Sequence, residues 1–294
     1  MHPLLQDLLS HAPVITDGAL GTQLLERGLA SGECPDTWNL SRPADVEEVI
    51  RSYVDAGSEI VLTNTFRANR IALEGYGLAG KIEEINLAGV EIAQRAAAGR
   101  AAVFASVGPS GKMLAAGEVA EAELKQAFAE QAQILAVAGV DGFAVETMSD
   151  LAEAKVALVA LGATGLPVVV SLVFDSGKER DRTMTGVTPE NAAQELTTAG
   201  ADVIGANCGR GIAGYISVCQ RLHASTERPI WIKPNAGLPE MFEGKVVYKT
   251  TPEECASFIP ALLQAGASFI GGCCGTGPDF IRAVGDTLRR WRRR

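Results

Sequence analysis

Eight short apolar runs, each closed by a Gly, Pro, Asn or Asp turn and followed by a helical pattern, recur along the chain. They occupy residues 14–17, 59–65, 101–107, 142–146, 167–174, 201–208, 229–234 and 267–273. Rich in Val and Ile and bounded by turn residues, they read as buried strands. Residues 44–56, 81–98, 120–138, 150–161, 189–199, 214–223, 252–265 and 278–289 carry apolar side chains at helical spacing. Such alternation predicts a parallel sheet, and the count of eight points to a closed (β/α)8 TIM barrel. A doubly wound open sheet would need fewer strands or an added edge. No linker separates two halves, so residues 1–294 are expected to form one domain.

Helix ends support these boundaries. Thr188-Pro189 and Thr251-Pro252 each place Thr at a cap and Pro at the first helical position. Ala56-Gly57, Ala138-Gly139, Ala199-Gly200 and Ala265-Gly266 have the form of glycine C-caps.

A barrel gathers its chemistry where the strands end, because the following loops share one face. Asp17, Glu146, Cys208, Cys273 and Cys274 all stand at strand ends, so two carboxylates and three thiols are expected at one mouth. A cysteine alone at such a place is usually structural. Three thiolates with one open position are the inventory of a catalytic zinc. Soft thiolates exclude Mg²⁺ and Ca²⁺, while Fe and Cu(I) lack a further Cys, His or Met cluster. His2 and His11 precede the first strand and His223 lies in a helix, so the open position is left to substrate. Cys34, in a polar loop, reads as an incidental thiol, and Cys219 and Cys255 as helix packing.

Asp17 begins Asp17-Gly18-Ala19-Leu20-Gly21-Thr22, whose glycines let backbone N–H groups turn towards an anion. Its plainer reading is a cap for the next helix. Glu146 ends an apolar strand, and an unpaired carboxylate there is costly to bury. A cationic partner is expected, and a substrate ammonium fits. Gly209-Arg210-Gly211-Ile212-Ala213-Gly214 matches a dinucleotide fingerprint, but at the sixth strand rather than in an opening βαβ unit.

The formal charge of −9 argues against nucleic acid as a partner. Arg289 to Arg294 is basic, as suits a helix C-terminus. No run of about 18 apolar residues offers a membrane span, and the first residues lack a basic stretch followed by an apolar one. A cytoplasmic protein is expected, its six cysteines binding metal, reacting or buried rather than bridged.

Together, residues 17–22, Thr63-Asn64-Thr65-Phe66, Ser106-Val107-Gly108-Pro109, Glu146-Thr147-Met148, Gly205-Ala206-Asn207-Cys208-Gly209, residues 233–239 and residues 271–276 resemble the zinc-dependent homocysteine S-methyltransferases. The resemblance runs over residues 16–282 in family order. It implies that Cys208, Cys273 and Cys274 bind Zn²⁺ and that homocysteine's sulfur takes the fourth site. Loss of the thiol proton then gives a nucleophile that attacks an activated methyl group to form methionine. By the same resemblance Asp17 and Glu146 hold the homocysteine ammonium, and the backbone near Gly21 and Thr22 receives its carboxylate.

Residues 207–209 and 234–239 are most similar to the homocysteine module of cobalamin-dependent methionine synthase. Residues 181–186 resemble stand-alone bacterial proteins labelled betaine-homocysteine methyltransferases. With no folate, cobalamin or activation domain expected, the leading donor is a small onium compound such as betaine or S-methylmethionine. Alternatives are a separate methylcorrinoid protein as donor, or a non-catalytic zinc- or thiol-binding barrel. An aromatic follows the glutamate in animal betaine enzymes, whereas Thr147 does here. Trp38, Phe66 and Tyr76 are candidate faces for a cationic donor, and residues 175–182 a candidate mobile lid. Neither donor nor oligomeric state is specified.

Overall fold

Side chains alternate across a β-strand, and in this protein that alternation divides the core in two. One apolar cluster lies between strands and helices and takes Ile15, Val61, Phe143, Val145, Ile204, Ile230, Ile232 and Ile270. The other fills the space the strands enclose, with Val14, Ile60, Leu62, Phe104, Ala144, Val169, Val203, Trp231 and Phe269. Neighbours along a strand thus face opposite cores, as a closed sheet wrapped by helices requires.

The computed structural model describes residues 1–242 and 245–292, so Arg293 and Arg294 of the basic tail lie outside the described residues. The strands are β1 (Val14–Ile15), β2 (Ile60–Leu62), β3 (Ala102–Val107), β4 (Gly142–Met148), β5 (Val168–Leu172), β6 (Val203–Gly211) and β7 (Ile230–Asn235). An antiparallel pair, β8 (Glu240–Phe242) and β9 (Lys245–Val247), precedes the last barrel strand, β10 (Ala267–Ile270). The eight-stranded sheet has the order β1-β10-β7-β6-β5-β4-β3-β2, and a parallel bridge from Thr16 to Ile60 brings its two edges together. This is the (β/α)8 barrel that the repeat predicts.

The Ala-Gly helix ends close as expected, with Gly57, Gly139, Gly200 and Gly266 all at positive φ. Thr188 and Thr251 accept the backbone N–H groups of Asn191 and Glu254. Two departures have local causes. The helix expected over 252–265 is broken into Pro252–Ser257 and Ile259–Gln264, because Pro260 has no N–H to continue the ladder. A further helix, Pro3–Leu9, sends Leu5 and Leu8 into the inner cluster and so plugs the barrel floor.

Gly205 shows how tightly that interior is fitted. It pairs in register with Trp231, and a Cβ on it would stand 2.3 Å from the Trp231 carbonyl oxygen. Gly205→Ala should therefore lower stability by about 1–3 kcal/mol, read as a shift of the urea unfolding midpoint. An unshifted midpoint would show that the strands can part at no cost.

Candidate active site

Two glycines carry the chain past the end of β1. A Cβ on Gly271 would lie 2.0 Å from Thr16 Oγ1, and one on Gly272 would lie 2.2 Å from Thr276 Oγ1. With that closeness, the Gly272 N–H donates to the Asp17 carbonyl (2.9 Å), the Cys273 N–H to the Pro234 carbonyl (2.8 Å) and the Ala236 N–H to the Cys274 carbonyl (2.9 Å). The cysteine pair is thereby held between the ends of β1 and β7. Cys208 comes from β6, where its backbone turns at φ 65°.

The three sulfurs lie within 4.8 Å of one another. Cys274 Sγ is 4.0 Å from Cys208 Sγ and 4.0 Å from Cys273 Sγ. Thiols this close share protons: hydrogen bonds from Cys273 and Cys274 hold Cys208 far below the usual cysteine value, while bonds to Cys208 and Cys274 push Cys273 up. Beside them, Asn235 Oδ1 is buried without a hydrogen-bond partner among the described residues.

One layer above the apolar floor, the inward strand positions turn polar. Two residues on from Phe104, Ala144, Val169 and Trp231 come Ser106, Glu146, Ser171 and Lys233. Lys233 is 2% exposed and pairs with Asp17 Oδ1, whose Oδ2 accepts the Leu62 N–H at 2.8 Å. Burial alone would lower the Lys233 ammonium, but the carboxylates of Asp17 and Glu146 outweigh it and hold the lysine above its usual value. Glu146 Oε1 accepts the Ser106 hydroxyl at 2.6 Å. Burial pushes Glu146 above the ordinary carboxylate value, and Lys233 opposes that rise.

Asp17, Ser106, Glu146, Lys233 and the three cysteines line one cavity of about 270 Å³. The structure brings all seven residues singled out from the sequence to its wall: Asp17, Gly21, Thr22, Glu146, Cys208, Cys273 and Cys274. Gly21 has open space where a Cβ would be, and Thr22 Oγ1 accepts the Gly275 N–H at 3.1 Å. Sulfurs on one tetrahedral metal at about 2.3 Å stand about 3.8 Å apart, close to the spacings seen, so the donor set fits a soft cation. Residues 14–288, from β1 into the last helix, match the family model described as homocysteine S-methyltransferase.

The chain belongs to the homocysteine S-methyltransferase family. It is 32% identical over 305 residues to methionine synthase of Mycobacterium tuberculosis, covering 95% of this chain and 25% of that protein. Methionine synthase of Mycobacterium leprae is 31% identical over 311 residues, covering 97% and 25%. This family member therefore spans about a quarter of the length of those curated relatives. Its fold is that of the metallated Escherichia coli homocysteine methyltransferase MmuM, with a TM-score of 0.81, 23% identity and coverage of 98% of this chain and 100% of that one.

In this homocysteine S-methyltransferase family member, other sequence expectations resolve differently. Trp38 is buried beneath Arg42, 3.9 Å from its ring centroid, and donates to Glu33; it offers a donor no free face. Tyr76 lies away from the cavity, and Phe66 lines it. Residues 175–182 are drawn together by a Ser176–Arg182 bridge and tied through Asp181 to Arg221, which also holds Glu190. Cys34 is buried, not an incidental loop thiol, and burial raises it to about 12. Gly209 to Gly214 runs from the end of β6 into the helix Ile212–His223, outside the cavity lining. Lys233, Ser106 and Asn207 went unassigned in the sequence. A lysine two residues beyond a buried Trp, on an apolar strand, was the signal for the first.

Proposed function

We propose that this chain is a homocysteine S-methyltransferase that moves a methyl group from a small onium compound, such as betaine or S-methylmethionine, to the sulfur of homocysteine, giving methionine. The observation that carries the proposal is the convergence of three sulfurs and a half-neutralised carboxylate pair, Asp17 and Glu146, on one cavity wall. Cys208, Cys273 and Cys274 would hold Zn²⁺. Bound there, zinc supplies the Lewis acidity that lets a substrate thiol lose its proton near neutral pH.

The protein's own groups orient the amino acid. Two carboxylates face one lysine, so the pair keeps one net negative charge for the homocysteine ammonium. Ser106 occupies Glu146 Oε1 and leaves the other oxygen to that ammonium. Asp17, fixed by Lys233 and the Leu62 N–H, contributes its field from the far side. Ala19 gives the helix Leu20–Glu26 no side-chain cap, so backbone N–H groups near Gly21 and Thr22 are assigned the substrate carboxylate. In the transfer, the new S–C bond forms as the bond from methyl to the onium centre breaks, and a neutral amine or thioether leaves. A cationic donor suits the Phe66 face beside this negative wall.

We further propose that residues 1–294 act as one homocysteine-binding barrel domain. Cytoplasmic placement agrees with free thiols at all six cysteines; among the described residues no helix is long and apolar enough to cross a membrane. The length of the methionine synthase relatives favours a second reading, in which a separate methylcorrinoid protein brings the methyl group.

The zinc-loaded protein with homocysteine should yield methionine from betaine or S-methylmethionine, measured by mass spectrometry. Methionine from methylcobalamin alone would transfer the function to the second reading. Stoichiometric zinc and homocysteine binding with no turnover on any donor would leave a binding protein and overturn both.

A further inference from the structure

Asn207 links the sulfur cluster to the strand that carries Glu146. It is fully buried in β6, immediately before Cys208. Its Nδ2 donates to Cys273 Sγ at 3.8 Å and to Thr147 Oγ1 at 2.7 Å. Its Oδ1 accepts the Thr147 N–H at 2.8 Å and the Ser171 hydroxyl at 2.7 Å. An amide has two donors and two acceptor lone pairs, so all four are used.

Two of those bonds fall on a strained residue. Thr147 stands at φ 62°, a conformation unfavourable for a β-branched side chain, and it follows Glu146 directly. Asn207 holds that turn, where the pairing of β4 with β5 shifts register between Val145 and Met148, by both the backbone N–H and the hydroxyl, and so fixes where Glu146 sits within β4. The remaining donor meets a sulfur. A neutral N–H on a thiolate draws charge from it and sets its direction, as outer partners do for metal-bound groups.

We infer that Asn207 is a positioning residue that locks the sulfur cluster to the Glu146 site, so that one amide sets both the direction of Cys273 and the turn carrying the carboxylate. The inference rests on the metal-binding reading of the three thiols. It assigns Asn207 a role towards the metal centre without direct ligation.

Cobalt(II) binding tests this without turnover. In Asn207→Ala the cobalt affinity should fall about 10- to 100-fold, and the sulfur-to-cobalt charge-transfer band should move to lower energy as Cys273 loses its donor. Thr147→Val and Ser171→Ala each remove one bond from the same amide and leave the sulfur contact. They should destabilise the metal-free protein, each by less than Asn207→Ala, and lower cobalt affinity by less than about 10-fold with the band in place. Asn207→Ser, whose shorter side chain stops short of Cys273, is read in parallel should alanine not fold. If wild type and Asn207→Ala (or Asn207→Ser) bind cobalt with equal affinity and the same band, the inference is overturned. If wild type binds no cobalt, the metal reading itself fails.

Discussion

Cys273→Ser should lose stoichiometric zinc and more than about 100-fold of methionine formation, since removal of an outer-shell partner alone costs about 10- to 100-fold. Serine matches cysteine in shape, so the backbone that holds position 273, its N–H on the Pro234 carbonyl at 2.8 Å and its carbonyl under Thr276, has no reason to move. What changes is the donor atom. A hydroxyl stays protonated near neutral pH and is hard where zinc prefers soft sulfur. Two thiols then remain 4.0 Å apart, Cys208 and Cys274, too few to hold the ion against solvent. Metal analysis of the purified variant, with circular dichroism to confirm the fold, decides the matter. One zinc per chain at unchanged affinity would mean that the metal sits elsewhere.

How much of this was legible beforehand follows from what periodicity encodes. Short apolar runs alternating eight times with helical patterns predict a closed parallel sheet and assign each strand a mouth end, which is enough to bring Cys208 and the pair Cys273 and Cys274 together across 66 residues of sequence. Parity also says which side chains face inward, so Lys233, two residues after Trp231, is readable as an inward lysine. Its partner is not. Asp17 lies 216 residues away, and the stagger of the closing strands decides which inward groups meet. The helix Pro3–Leu9 was missed for another reason: seven residues show too few turns for a helical pattern to emerge. The pinning of residues 175–182 depends on the reach of Arg221 from another element, and a polar composition reads the same whether its charges are paired or free.

Lys233→Met should destabilise the fold by about 3–5 kcal/mol, because it leaves a buried carboxylate without its cation. Lysine and methionine have similar stems, so packing between Trp231 and the polar layer is largely kept and the lost charge dominates. The Asp17 side chain is 3% exposed and keeps only the Leu62 N–H. Adding Asp17→Asn to the variant should recover part of the loss, since a neutral amide costs less to bury than an unpaired carboxylate. Glu146 supplies a pH signature. Burial raises it in the folded protein from the model-compound value of 4.5, and Lys233 is the largest influence drawing it back. Without the lysine its folded value rises further while the unfolded chain keeps the ordinary one, so the folded variant binds a proton that the unfolded chain releases. A group raised on folding stabilises below its unfolded value and loses that contribution as pH rises through the folded one. The deficit of Lys233→Met against wild type should therefore narrow from neutral pH down towards about 4.5 and widen again on return. Urea unfolding of both proteins across that range measures it; a deficit below 1 kcal/mol, or one that grows on acidification, would show that the pair is not what holds this layer of the barrel together.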